Sequence, residues 1–354
     1  MGEKYNVRFE PVGIEIEVDS DQTILRAAAE PGIQLMHGCK EGQCAACKSF
    51  VLEGDMDDIE LDRYSTFALP DYEKEEGQTL LCRAHAYSDL VIELLQYDEE
   101  IIRSGLPLKK GVAEVISNEA VTHDMRHLVV RLVEPEDGIK FFPGQYLDLM
   151  VPGTEESRSF SMANTPGRDG RFEFVIKVYP DGLFSEYLAD KLAVGDRLDV
   201  EGPFGTFTLR ESHNSPIVFL GGGAGMAPVL GLLRSMAERG VERKAVFYYG
   251  ARGKRDLCFE QELRELEGKL PGGFRYVPGL SEPGEDDWTG EVGLITDVCK
   301  RSEAGLEGMD AYVCGPPPMV DAAIPMLTAL GVREENIFYD KFTTTGEPEG
   351  EDGT

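Results

Sequence analysis

Hydrophobic and polar positions along this chain change rhythm twice. From Tyr5 the apolar residues Val7 and Phe9, then Ile14, Ile16 and Val18, alternate with polar ones on either side of Pro11-Val12-Gly13. That pattern predicts an antiparallel hairpin with one buried face. Residues 23–30 follow Asp19-Ser20-Asp21 and stop at Pro31-Gly32, which predicts a short helix with acidic residues near its start. Strands at 49–52 and 90–95 complete a small β-grasp-like α+β unit of about 100 residues. From Gly111 the alternation predicts six strands, at 112–116, 128–133, 146–150, 158–162, 172–178 and 197–200, with one helix at 184–191. Gly/Pro punctuation at Pro143-Gly144, Pro152-Gly153 and Gly202-Pro203 suits a small antiparallel barrel. From Pro216 the texture becomes strand, glycine loop, helix, and then repeats. Strands are predicted at 216–220, 244–249, 274–277 and 310–314, and helices at 226–238, 259–268, 292–301 and 319–330. That βα rhythm implies a parallel sheet covered on both faces.

Three domains follow, at 1–100, 108–211 and 212–343, with Asp98-Glu99-Glu100 and Ser104-Gly105-Leu106-Pro107 marking the first boundary and an acidic, disordered tail expected at 344–354. The length of 354 residues agrees, because it exceeds what one core usually supports. The 65 acidic residues against 35 basic give a net charge of -30, which repels nucleic acid and anionic lipid and favours a basic protein partner. The longest apolar run, 217–233, is broken by Gly221-Gly222-Gly223 and Gly225, so it reads as a buried strand and helix and not as a membrane span. The N-terminus lacks the pattern of a secretory signal, and seven cysteines clustered at ligand spacing argue against a disulfide framework. A cytoplasmic monomer is expected.

The cysteines carry the first chemistry. Cys39, Cys44 and Cys47 follow C-x4-C-x2-C, with Cys82 downstream, which is the plant-type [2Fe-2S] spacing. Four thiolates must converge from one side of two bridged irons, so three come from a tightly turned loop. Gly38 and Gly42 suit such a loop by taking positive φ, which turns backbone N–H groups toward the sulfurs. A Cys3His zinc site from Cys44, Cys47, Cys82 and His85 is the alternative, and it leaves Cys39 unused.

In the barrel, Arg158-Ser159-Phe160-Ser161 taken alone reads as an ordinary barrel strand, but it also supplies a cation for a pyrophosphate, an aromatic beside a ring system and a hydroxyl, the three things a flavin needs. In the last domain, Gly221-Gly222-Gly223-Ala224-Gly225-Met226-Ala227-Pro228 lies between a strand and a helix, where glycines admit a pyrophosphate to the helix N-terminus. Cys314-Gly315-Pro316-Pro317-Pro318-Met319 ends a later strand, and the carboxyl ends of parallel strands line one crevice. After the second strand, Gly250 and Arg252 begin a run to Asp256 that holds both basic and acidic candidates for the nucleotide ribose.

With these motifs in one order, the chain resembles the ferredoxin reductase-like flavoproteins that carry an N-terminal ferredoxin and serve as reductases of bacterial multicomponent oxygenases. The resemblance makes Arg158, Ser159, Phe160 and Ser161 the FAD motif. It adds Val175 and Lys177 from one strand, Gly182, Leu183 and Ser185 from a phosphate loop, and Phe342 near the C-terminus as a cover for the ring. It places Cys314, which by itself also reads as a buried structural cysteine, where nicotinamide meets flavin, so Ser161, beside flavin N5, and Cys314 are the expected catalytic residues. It also favours NADH over NADPH. NADH gives electrons as a hydride pair and a [2Fe-2S] cluster accepts one at a time, so FAD stands between them. The segments 37–44, 63–70 and 80–85 look most like reductases of soluble di-iron monooxygenases of the propane type. No Glu-x-x-His helices occur here, so a di-iron hydroxylase on another polypeptide is the expected partner. The rivals are a reductase for a Rieske dioxygenase or a cytochrome P450, and a non-catalytic redox sensor.

Overall fold

Val7 faces Ile16 across an antiparallel hairpin of Lys4–Glu10 and Ile14–Asp19, as the alternation requires. In this computed structural model, which describes residues 2–284 and 287–343, strand Leu90–Leu94 lies parallel to Lys4–Glu10. Strand Lys48–Glu53 runs antiparallel to Leu90–Leu94, and the short Gln78–Leu80 closes the edge of a five-stranded sheet. Helix Ile24–Ala29 covers one face with Ile24, Leu25, Ala27 and Ala28 buried. Its start is capped by Thr23, whose side chain accepts from the Arg26 N–H at 3.3 Å. The acidic residues expected at that start precede the cap, and the first turn contains none.

A short helix lies at the expected first boundary. Asp98 is the N-cap of a helix, Glu99–Ser104, and its carboxylate accepts from the backbone N–H groups of Glu100 and Ile101. Ile101 and Ile102 are buried, and Ile102 joins the core under the first sheet. Three acidic residues in a row resemble a linker, but an acid at the cap and two in the first turn also stabilise a helix start. The two apolar residues that follow decide between these readings. The chain divides into two compact units, and the first runs to Leu108 and takes in Phe204–Thr206.

The second unit contains both later architectures. Six antiparallel strands pair in the order Ser157–Ser161, Tyr146–Met150, Arg197–Phe204, Lys109–Ala120, Met125–Glu134 and Arg171–Lys177. A bridge between Met162 and Phe174 brings the outer two together, giving a nearly closed barrel filled by Val115, Leu128, Leu147, Phe172 and Phe174. Helix Leu183–Asp190 packs Phe184 and Leu188 against that core. Six parallel strands follow, ordered Glu291–Val292, Phe274–Leu280, Ala245–Ala251, Ile217–Gly222, Asp310–Gly315 and Ile337–Lys341. Helices Met226–Arg239, Glu260–Glu267, Ile295–Ser302 and Pro317–Ala329 connect them. The α+β unit, the antiparallel barrel and the parallel α/β sheet are therefore all present. The expected acidic tail, 344–354, lies outside the described residues.

Candidate functional site

The cysteine loop is held open by left-handed backbone at three places. Lys40, Gly42 and Ala45 take φ of 58°, 68° and 59°. Gly38 does not, so one of the two expected glycine turns is made instead by Lys40 and Ala45. Gly42 has a second reason to lack a side chain, because a Cβ there would stand 2.7 Å from Tyr64 Cβ and 3.1 Å from its Cα. These turns aim the N–H groups of Glu41 and Gln43 at Cys39 Sγ, both at 3.3 Å, and the N–H of Cys39 at Cys44 Sγ at 3.4 Å.

Cys39 and Cys44 are hydrogen-bonded through their thiols, as are Cys47 and Cys82, and all seven cysteines are free. The Cys44 thiol beside Cys39 pulls the Cys39 thiol down to about 6. Cys47 is lowered in the same way by Cys82, while Cys44 and Cys82 are pushed up by serving as the protonated partners. Cys39 lies within electrostatic reach of both members of the second pair. Four sulfurs converging beside inward-pointing N–H groups fit a [2Fe-2S] cluster, whose charge such donors stabilise. The zinc alternative needs His85, but that ring lies 3.0 Å from the Ser20 carbonyl through Nδ1 and 3.3 Å from Asp62 Oδ2 through Nε2. His37, next to the loop, is buried and bonds the Leu35 carbonyl and the Gly205 N–H.

The barrel places its candidate residues on two neighbouring strands. In Ser157–Ser161, Arg158 donates to the Ser157 carbonyl at 2.8 Å and to the exposed Glu156 carboxylate at 2.7 Å. Ser159 donates to Asp148 Oδ1 at 2.6 Å, across a register that pairs these two residues. Phe160 lies 4.9 Å from the Phe184 ring, and Ser161 is buried. On Arg171–Lys177, Val175 is buried and Lys177 Nζ contacts Asp124 Oδ2 at 2.7 Å. Gly182 caps helix Leu183–Asp190, Leu183 is exposed, and the buried Ser185 hydroxyl accepts from the Tyr179 N–H at 3.0 Å. An arginine, a lysine and a helix start with a hydroxyl fit the charge and shape of FAD.

In the parallel sheet, strand Ile217–Gly222 runs into the turn Gly223–Gly225, and helix Met226–Arg239 follows at once, beginning Met226-Ala227-Pro228. Gly225 is pressed on the next strand, where a Cβ would come 2.1 Å from the Cys314 carbonyl oxygen. Gly222 and Gly315 share the Met319 side chain in the same way, at 2.9 Å each, and Gly221 pairs with Cys314. Pro316 caps helix Pro317–Ala329. The two predicted nucleotide segments therefore meet.

Cys314 is fully buried, and burial pushes its thiol well up, so it is a neutral SH. It shares one core with Val175, Met226 and Ala227, against which Phe342 packs, and the Phe342 N–H donates to the Gly315 carbonyl at 2.9 Å. Strand Arg171–Lys177 also touches the Gly223–Gly225 turn. Flavin-side and nucleotide-side candidates thus lie together within the second unit. Phe342 follows a parallel edge strand, so the C-terminal segment is both strand and neighbour of the crevice. Gly250, at the end of the second strand, faces Ile295, and Arg252 is exposed. Asp256 is already used, accepting from the Gly253 N–H at 2.7 Å.

Tyr249 was not legible as a site residue. Its buried hydroxyl donates to the Gly223 carbonyl at 3.0 Å, yet within the run Val246 to Tyr249 it reads only as core.

Three family models match segments of the chain. Residues 7–87 match the 2Fe-2S iron-sulfur cluster binding domain, 112–209 the oxidoreductase FAD-binding domain, and 219–324 the oxidoreductase NAD-binding domain. The reductase component of propane 2-monooxygenase from Rhodococcus jostii is 50% identical over 97% of this chain and 93% of its own length. The chain belongs to the family of monooxygenase reductase components. Within it, the phenol 2-monooxygenase reductase component of a Pseudomonas species is 35% identical over 98% of this reductase and 97% of its own length. Among solved structures, an Amycolatopsis cytochrome P450 reductase superposes with a TM-score of 0.84 at 30% identity, covering 96% of this chain and 99% of that one. The reductase is thus an NADH-dependent iron-sulfur flavoprotein oxidoreductase. Among the described residues no helix is long and apolar enough to cross a membrane.

Proposed function

We propose that this reductase takes electrons from NADH and delivers them, through FAD and its [2Fe-2S] cluster, to the di-iron hydroxylase of a propane-type monooxygenase. The observation that carries the reading is 50% identity to a propane 2-monooxygenase reductase component along nearly the whole chain, spanning all three cofactor segments. Bound FAD and the cluster supply the conversion of a hydride's electron pair into single electrons.

The chain's own residues bind and orient. Cys39, Cys44, Cys47 and Cys82 ligate the irons, and the Glu41 and Gln43 N–H groups stabilise negative charge on sulfur. Arg158, now paired with Glu156, and the start of helix Leu183–Asp190 with Ser185 would hold the FAD pyrophosphate. The buried Ser161 hydroxyl would serve as a hydrogen-bond partner for the flavin ring. Gly221 to Gly225 and the start of helix Met226–Arg239 take the NADH pyrophosphate. Cys314, neutral and close-packed against Gly225, positions the nicotinamide without competing as a nucleophile. Phe342, packed beside the core that holds Cys314, would shield the ring.

A cytoplasmic monomer is proposed; cysteines clustered at ligand spacing and not in a disulfide framework support the compartment. The test is reconstitution. Purified reductase, NADH and a propane 2-monooxygenase hydroxylase are expected to couple NADH consumption to alkane hydroxylation, whereas coupling only to a cytochrome P450 supports the second reading, which the Amycolatopsis structure favours.

A further inference from the structure

Phe67 is the most exposed large hydrophobic side chain among the described residues, with 96% of its surface open to water. A lone exposed apolar residue is ordinary, but Phe67 sits in a turn hydrogen-bonded to the cluster loop. Its N–H donates to Ser65 Oγ at 3.3 Å, and the N–H groups of Ala68 and Leu69 return to the Ser65 carbonyl, closing a tight turn. Ala68 and Leu69 are buried, so the turn is anchored on its far side. On its near side the Ser65 N–H donates to the Gly42 carbonyl at 3.0 Å. Gly42 sits between Glu41 and Gln43, the two residues whose N–H groups point at Cys39 Sγ. An aromatic ring is thus held outward by the same backbone that shapes the cluster's cradle.

The surrounding sequence supplies a field. Residues 53–76 contain ten acidic residues against two basic ones, Arg63 and Lys74, and residues 1–108 contain 23 acidic against nine basic. A fixed aromatic set in an acidic surface matches the design of a protein interface, in which one apolar anchor supplies affinity and the charges steer encounter.

We propose that Phe67 is the apolar anchor by which the reductase docks on a basic patch of its hydroxylase partner. This rests on the function proposed above and adds the surface and the chemistry of the partner: a hydrophobic pocket ringed by lysine or arginine.

The test uses the complete holoenzyme with a propane 2-monooxygenase hydroxylase, comparing wild type, Phe67→Ser and Phe67→Tyr. All three are expected to reduce ferricyanide with NADH at equal rates and to bleach the cluster equally, since the side chain touches neither cofactor segment. Phe67→Ser should raise the KM for the hydroxylase by about tenfold to a hundredfold, and Phe67→Tyr should restore it. The KM of wild type and of Phe67→Ser should rise in parallel with salt, because the charges are unchanged. A KM for Phe67→Ser within about twofold of wild type overturns the anchor while leaving the function intact. A concentration-dependent dimer abolished by Phe67→Ser overturns it in favour of a second copy of this chain. Failure of wild type to couple to the hydroxylase overturns the functional reading, and the anchor with it.

Discussion

The Tyr249 hydroxyl lies 3.0 Å from the carbonyl oxygen of Gly223, which also accepts the Met226 N–H. Tyr249 is fully buried, and burial raises its phenol well above its ordinary range, so it remains a neutral donor. A trans peptide points its N–H opposite to its carbonyl. With the Gly223 carbonyl tied down to the core by Tyr249, the Ala224 N–H is turned the other way, as the proposed pyrophosphate site requires.

Tyr249→Phe keeps the ring in its core and removes only that bond. The KM for NADH is expected to rise about threefold to tenfold, the effect of one hydrogen bond, with little change in kcat. Steady-state kinetics check this, and reduction of the cluster by dithionite should be unaffected.

Replacing Cys82 by Ser separates the two units chemically. Cys82 is buried in the first core and is one of four converging sulfurs. The variant should lose the cluster's visible absorbance and all transfer to a protein acceptor. It should keep FAD and NADH-driven ferricyanide reduction, because those residues lie in the second unit. Iron analysis beside both assays checks the outcome.

Glu173 joins the barrel to the parallel-sheet layer. Its carboxylate lies 3.3 Å from His127 Nε2 and 2.9 Å from Arg234 Nη1, and Arg234 in turn pairs with Glu262 at 2.6 Å. The His127 hydrogen bond, assisted by Arg234, pulls the Glu173 carboxyl down to about 2. A carboxyl lowered on folding contributes stability above its unfolded pKa, and that contribution disappears as pH falls through the folded value. Wild type should therefore exceed Glu173→Gln by about 1–2 kcal/mol above pH ~5, allowing for solvent screening, with the gap closing between pH ~4.5 and ~2. Urea melts across that range read it directly.

Asp310 is wholly buried and pairs with Arg243 at 2.5 Å and with His213 Nδ1 at 2.9 Å. It begins the strand Asp310–Gly315, which carries Cys314. Asp310→Ala leaves the Arg243 charge buried alone and is expected to cost about 3–5 kcal/mol, read as a lowered midpoint of unfolding.

These relationships show what the sequence exposed and what it hid. The cysteine spacing and the glycine loops were legible because their chemistry is local: three sulfurs in nine residues, or a strand, a turn and a helix start in twelve. The two strand rhythms were legible because burial on one face or on both leaves a period. Tyr249, Glu173 and Asp310 were not, since each acts on a residue 26 or more positions away and otherwise reads as ordinary core or surface. Lys40 and Ala45 were missed because their left-handed backbone is imposed by the loop and not preferred by their side chains. The helix Glu99–Ser104 was hidden by acidic residues that serve a cap as well as a linker.

The claim that one chain carries a hydride acceptor and a single-electron relay is tested most directly by an anaerobic visible spectrum before and after one equivalent of NADH. A coloured protein whose flavin and cluster bands both bleach, with iron and acid-labile sulfide present in equal amounts, is the predicted result. A colourless protein, zinc in place of iron, or bands unchanged by NADH would contradict it.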